Sequence, residues 1–130
     1  MACASIVSAG SLMTLLNSCA PLPVLKTSSK ENILVPETSF QEGQNLLVIK
    51  NSEMEFDILL VKKKDNTYNA LYMQCSHQSQ PLSANKTGLF CSAHGSSFDL
   101  EGKVIAEPAT VPLHKFRTEI KDNNIKIYLN

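Results

Sequence analysis

Two short stretches constrain this chain more than any other part of it. One reads Cys75-Ser76-His77; the other reads Cys91-Ser92-Ala93-His94 and runs on through Gly95-Ser96-Ser97-Phe98. Each offers one thiol and one imidazole, and the 13 residues Gln78 to Phe90 lie between them. Thiolate sulfur and neutral imidazole nitrogen are preferred protein ligands of zinc and iron. A fold that uses all four donors must bring the two stretches face to face as loops. Gly95, Pro81 and the small side chains of Ser92, Ala93, Ser96 and Ser97 permit that close approach. On residue types alone, three outcomes stay open: a zinc site, an iron site, or a Cys75–Cys91 disulfide. Zinc fingers more commonly pair Cys-x-x-Cys with His-x-x-x-His, often on a helix, than Cys-x-His on β loops.

The rest of the chain reads as strands and turns. Ile33 to Val35, the apolar run at 45–50, Phe56 to Lys62 and Tyr68 to Gln74 are strand candidates. Lys64-Asp65-Asn66-Thr67 supplies turn chemistry between the last two, which makes a hairpin that delivers Cys75. Leu89-Phe90 leads into Cys91, and Glu101-Gly102 marks a tight turn between Phe98–Leu100 and Val104-Ile105. Phe116 to Lys121 and Ile125 to Leu129 alternate around Asp122-Asn123-Asn124, a terminal hairpin with one face in and one out. No stretch of the domain carries a helical period of useful length. The expectation is an all-β domain of short antiparallel strands, a small sandwich or barrel.

Twelve basic and twelve acidic side chains cancel, tryptophan is absent and aromatics make up 6% of 130 residues. A neutral chain has no long-range field for phosphates and few stacking platforms, which argues against nucleic-acid binding. No nucleophile–base constellation and no Gly-rich phosphate loop is present, so the chain reads as a component of a reaction rather than a stand-alone catalyst. His114 reads as a surface or packing histidine, and Lys62-Lys63-Lys64 as a solvated hairpin end.

Met1 to Leu25 carries no charged side chain, and Ile6 to Leu16 is mostly apolar but too short to span a bilayer. It ends at Leu16-Asn17-Ser18-Cys19, which resembles the lipobox of bacterial lipoprotein signals. That resemblance implies cleavage before Cys19, lipidation of Cys19 and a surface anchor at the exported face of a bacterial membrane. The leader lacks the positive charge such signals carry, which leaves a cytoplasmic protein as the alternative. The expected organisation is a leader at 1–19, a linker at 20–32 and a domain at 33–130.

The Cys-x-His and Cys-x-x-His-Gly-Ser pair, with Phe98 and then Asp99 to Val104, resembles the Rieske iron–sulfur family from about Ile58 to the C-terminus. The later loop Glu107-Pro108-Ala109-Thr110-Val111-Pro112-Leu113 resembles that family's proline-containing loop. The resemblance implies a Rieske-like all-β fold and a [2Fe–2S] cluster. Cys75 and Cys91 would bind one iron, His77 and His94 the other, with Ser96 donating a hydrogen bond to a sulfide. Two imidazoles in place of two thiolates make the cluster two units less negative than an all-cysteine one, which raises its potential.

Three departures bear on tuning. The 78–90 segment is shorter than is usual in the family. Gln80 and Ala93 stand where quinol-oxidising members carry a disulfide. Phe98 stands where high-potential members have a tyrosine hydroxyl near the sulfurs. Fewer donors to the sulfurs imply an intermediate or low potential within the Rieske range. The resemblance implies one-electron transfer, by an exported, anchored carrier or a subunit of an oxidoreductase complex. Its partner, a redox protein or a quinol, would dock near His77 and His94. A soluble ferredoxin feeding an oxygenase is the alternative, and a zinc-stabilised β binding module the alternative of another class.

Overall fold

The computed structural model describes residues 21–130. The leader, with Cys3 and Cys19, lies outside the described residues. Eleven strands run along the described residues: β1 (Val24–Thr27), β2 (Asn32–Pro36), β3 (Leu46–Asn51), β4 (Ile58–Lys62), β5 (Tyr68–Tyr72), β6 (Ser83–Asn85), β7 (Gly88–Phe90), β8 (Ser97–Phe98), β9 (Val104–Ala106), β10 (Lys115–Lys121) and β11 (Asn124–Tyr128). One 3-10 turn, Glu37–Ser39, is the helical element among the described residues. The all-β expectation therefore holds.

The strands form two sheets. The larger has the order β1-β3-β4-β5-β10-β11-β2, the smaller β6-β7-β8-β9. Strands from both ends of the larger sheet bury side chains in one cluster: Ile33 and Val35 of β2 meet Leu47 and Ile49 of β3, with Ile58, Leu60, Phe116, Ile125 and Ile127. The sheet therefore curls into a nearly closed barrel around that core. A second core lies between the barrel wall and the smaller sheet. It holds Leu46, Leu59, Val61, Leu71 and Met73 from the wall, and Leu82, Leu89 and Phe98 from the other side.

The two cores explain the apolar runs. Along β4, Leu59 and Val61 face one core while Ile58 and Leu60 face the other. A strand covered on both faces loses the alternation of a half-exposed one and reads as continuously apolar. The β4–β5 hairpin closes on Asp65, whose carboxylate accepts the Thr67 N–H at 3.0 Å, with Asn66 at φ 66°. The β10–β11 hairpin turns through Asp122 and Asn123, both at positive φ, the geometry that suits a two-residue hairpin turn.

One expectation is corrected. The 20–32 stretch, read as a linker, carries β1, which pairs in parallel with β3 from Val24↔Val48 to Thr27↔Asn51. Asn51, buried, holds the following corner: its side chain accepts the Ser29 N–H at 2.9 Å and donates to the Ser29 carbonyl at 2.8 Å. β1 sits at the barrel's edge, half-exposed at alternate positions, so no apolar run marks it.

A seam joins the smaller sheet to the barrel. Asn69 donates to the Leu100 carbonyl at 3.1 Å, and Glu101 lies 3.4 Å from Lys63 and 3.6 Å from Lys115. Gly102, at φ +86°, lets this turn press on the wall; a Cβ there would stand 3.1 Å from a methyl of Leu71. Lys63, read as solvated, is thus an ion-pair partner. His114 packs edge-on against Phe116, with ring centroids 4.6 Å apart.

Candidate metal centre

Both candidate loops sit at strand ends and close on themselves in the same way. β5 runs out through Met73 into Cys75. The Cys75 N–H donates to the Gln80 carbonyl at 2.9 Å, and Gln74 bridges Pro81 beneath it. β7 ends at Phe90, and the Cys91 N–H donates to the Ser96 carbonyl at 2.8 Å. In each loop the cysteine N–H finds a carbonyl five residues on. Gly95 makes the second closure possible: it lies at φ +85°, and its N–H donates to the Cys91 carbonyl at 2.9 Å.

The donors come as two pairs. Cys75 and Cys91 are free thiols, 3% and 1% exposed, at the end of the inter-sheet core. His77 and His94 are exposed, with ring centroids 5.1 Å apart and planes nearly perpendicular. A tetrahedral zinc ion asks for four donors around one centre. A two-iron cluster asks for two donors at each end, and sulfur inside with nitrogen outside is that pattern.

The surroundings favour a negatively charged sulfur. Burial pushes the Cys75 thiol up, but the backbone N–H groups of Gln78 and His77, with the side chains of Cys91 and Ser96, outweigh it and hold the thiol below its ordinary value. Ser96, 1% exposed, closes the second loop beneath Cys91, whose N–H its carbonyl accepts. Its Oγ also accepts the Ala109 N–H at 3.0 Å. Phe98 is fully buried in the inter-sheet core and brings no hydroxyl. The structure thus sets His77 beside His94, and buries Cys75, Cys91 and Ser96 behind them; Cys19 lies outside the described residues.

Sequence reasoning missed the groups that are not side-chain ligands. The N–H groups of His77, Gln78 and Ala109 are invisible in a sequence, because any residue there carries one. The Ser76 hydroxyl, which donates to the Val111 carbonyl, gave no signal either.

Known proteins resemble the chain in the same terms. Residues 31–117 match a family model described as the Rieske [2Fe-2S] domain. No match was found among curated proteins. Among solved structures, the cyanobacterial plasma-membrane Rieske protein PetC3 of Synechocystis is 25% identical, with a TM-score of 0.52 over 56% of this chain and 77% of that one. The ferredoxin of Sphingomonas yanoikuyae B1 is 22% identical, with a TM-score of 0.53 over 75% of this chain and 96% of that one. The quaternary ammonium Rieske monooxygenase CntA is 17% identical, with a TM-score of 0.61 over 78% of this chain but only 32% of its own. The last two likenesses concern the fold.

Proposed function

The chain belongs to the Rieske [2Fe–2S] family, and from that premise we propose that Cys75 and Cys91 hold one iron of its cluster while His77 and His94 hold the other. When bound, the cluster takes up and gives back one electron. The observation that carries the assignment is the segregation of donors: two buried thiols inside, two exposed imidazoles 5.1 Å apart outside. The thiols are shielded from solvent by the inter-sheet core. The imidazoles form the edge through which a partner, a redox protein or a quinol, is reached. The carrier moves electrons for another protein's chemistry.

The test is direct. Purified protein should carry iron and acid-labile sulfide, and its reduced form should give an electron-spin-resonance signal. Substituting His77 or His94 by Ala should abolish or alter that signal. An unaltered spectrum in both variants sinks the ligand assignment, and colourless protein holding one zinc per chain sinks the cluster.

The reading extends to export with a lipid anchor at Cys19, supported by Leu16-Asn17-Ser18-Cys19. Membrane fractionation, with mass spectrometry of the mature N-terminus, decides it; a wholly soluble product with an unmodified Cys19 refutes it. A second reading, a soluble ferredoxin serving an oxygenase, is favoured by one observation. The chain covers 96% of the Sphingomonas ferredoxin, and 92% of a chain in the complex of oxygenase and ferredoxin of carbazole 1,9a-dioxygenase.

A further inference from the structure

A third segment, residues 107–113, touches both cluster loops, and it is held at alternate positions. The Ala109 N–H donates to Ser96 Oγ at 3.0 Å. The Val111 carbonyl accepts from the Ser76 hydroxyl. The Leu113 N–H donates to the Gly102 carbonyl at 2.8 Å. The two outer positions are also fixed by burial, Ala109 at 0% exposure and Leu113 at 5%. The middle one is not: Thr110, Val111 and Pro112 face solvent, Val111 at 57%. Among the described residues, the Ser76 hydroxyl makes the only hydrogen bond that reaches these three.

We propose that Ser76 is a positioning residue for the cluster site. By holding Val111 it seats residues 107–113, so that the Ala109 N–H stays on Ser96 and fixes the direction of the Ser96 hydroxyl proton. Donor and acceptor capacity sets that direction. A serine hydroxyl has one proton and two lone pairs. With a lone pair of Ser96 taken by Ala109, its proton is left to turn away from that N–H, in the buried cluster where Ala109 packs with Cys75 and Cys91. Ser76 stands between Cys75 and His77 and is itself exposed, so its hydroxyl is free to reach outward to the third segment. One hydroxyl from each cluster loop thus grips the same segment two residues apart. The inference rests on the cluster assignment above only where it concerns the potential.

The experiment compares the cluster-loaded parent with Ser76→Ala, Ser76→Thr and, as a control, Ser92→Ala, which removes an exposed hydroxyl of the second loop. Hydrogen exchange over residues 107–113 is followed by mass spectrometry, and the midpoint potential by titration. Ser76→Ala should speed exchange of the Ala109 N–H by ~5-fold, the loss of one net hydrogen bond, and should lower the midpoint. Ser76→Thr, which keeps a hydroxyl, should restore both, and Ser92→Ala should change neither. Unchanged exchange in Ser76→Ala overturns the proposal. So does faster exchange with an unchanged or higher midpoint, because the relay to Ser96 would then be absent. A Thr variant that behaves like Ala, or a Ser92 variant that shifts as much, shows that the Ser76 hydroxyl is not the agent. If the parent holds no cluster, the electron-transfer reading falls, and the exchange comparison still decides the latch.

Discussion

Ser96→Ala separates a tuning role from a structural one. The Ser96 hydroxyl is 1% exposed and accepts at 3.0 Å the N–H of Ala109, which packs in the same buried cluster as Cys75 and Cys91. Removing it has two consequences of different kind. The Ala109 N–H is left buried with no acceptor, which costs about 1–3 kcal/mol of stability. The sulfur side also loses a donor. A dipole aimed at a sulfur stabilises the reduced, more negative state more than the oxidised one, so its loss lowers the midpoint. A net hydrogen bond is worth about 1 kcal/mol. With one electron and ~59 mV per tenfold change, that becomes a fall on the order of 40 mV. Urea titration of the oxidised protein measures the first effect, and redox titration the second. A variant that loses stability but keeps the parental midpoint would refute the tuning role and leave Ser96 as a brace alone.

Three further outcomes are expected. Phe98→Tyr should raise the midpoint, because it puts a hydroxyl at the core position nearest in sequence to Ser96 and Ser97; a redox titration showing no change or a fall counts against it. Gly88→Ala should destabilise the smaller sheet by about 1–3 kcal/mol: its Cβ would stand 2.3 Å from the Phe98 carbonyl oxygen, which β7–β8 pairing holds in place. A parental denaturation midpoint would show that the backbone yields there. For Glu101, burial raises the carboxyl pKa, but the Asn69 side chain with Lys63 and Lys115 outweighs it and holds the group below its ordinary value of 4.5. A depressed folded pKa contributes stability above the unfolded value, lost as pH falls through the folded one. Glu101→Gln should therefore flatten the acid limb of a stability–pH curve below about pH 4.5, and an unchanged slope there would refute the seam's electrostatic role. The effect is small, since the pair is largely solvated.

The parts of the fold that were legible in sequence are those where local pattern and tertiary environment agree. β4 and β5 read as strands because both faces are covered, and β10–β11 because alternation and a positive-φ turn coincide. The four donors were legible because their residue types are scarce and their spacing specific. Two strands were not. β1 is an edge strand whose Lys26 faces solvent, and β6 is Ser83-Ala84-Asn85, exposed or half-exposed throughout. Their pairing is made by backbone groups, which every residue supplies equally. The same blindness hid the N–H groups of His77, Gln78 and Ala109. Main-chain groups share in holding the Cys75 thiol, and their direction is set by the loop closures rather than by residue identity.

The absent disulfide takes its meaning from those closures. By the family resemblance, Gln80 and Ala93 stand where quinol-oxidising members carry a disulfide, and a disulfide contributes about 2–4 kcal/mol. Here the loops are held by other means. Each cysteine N–H bonds a carbonyl five residues on, and Ser76 and Ser96 tie both loops to the 107–113 segment. Four hydrogen bonds at about 1 kcal/mol each sum to the same order. The difference lies in what breaks them. A disulfide depends on the redox state of its compartment, whereas these hydrogen bonds hold equally in a reducing and an oxidising one. The loop architecture therefore does not select between periplasm and cytoplasm. The leader's Leu16-Asn17-Ser18-Cys19 is what bears on location, which makes the chemical state of Cys19 the decisive measurement for placing this protein.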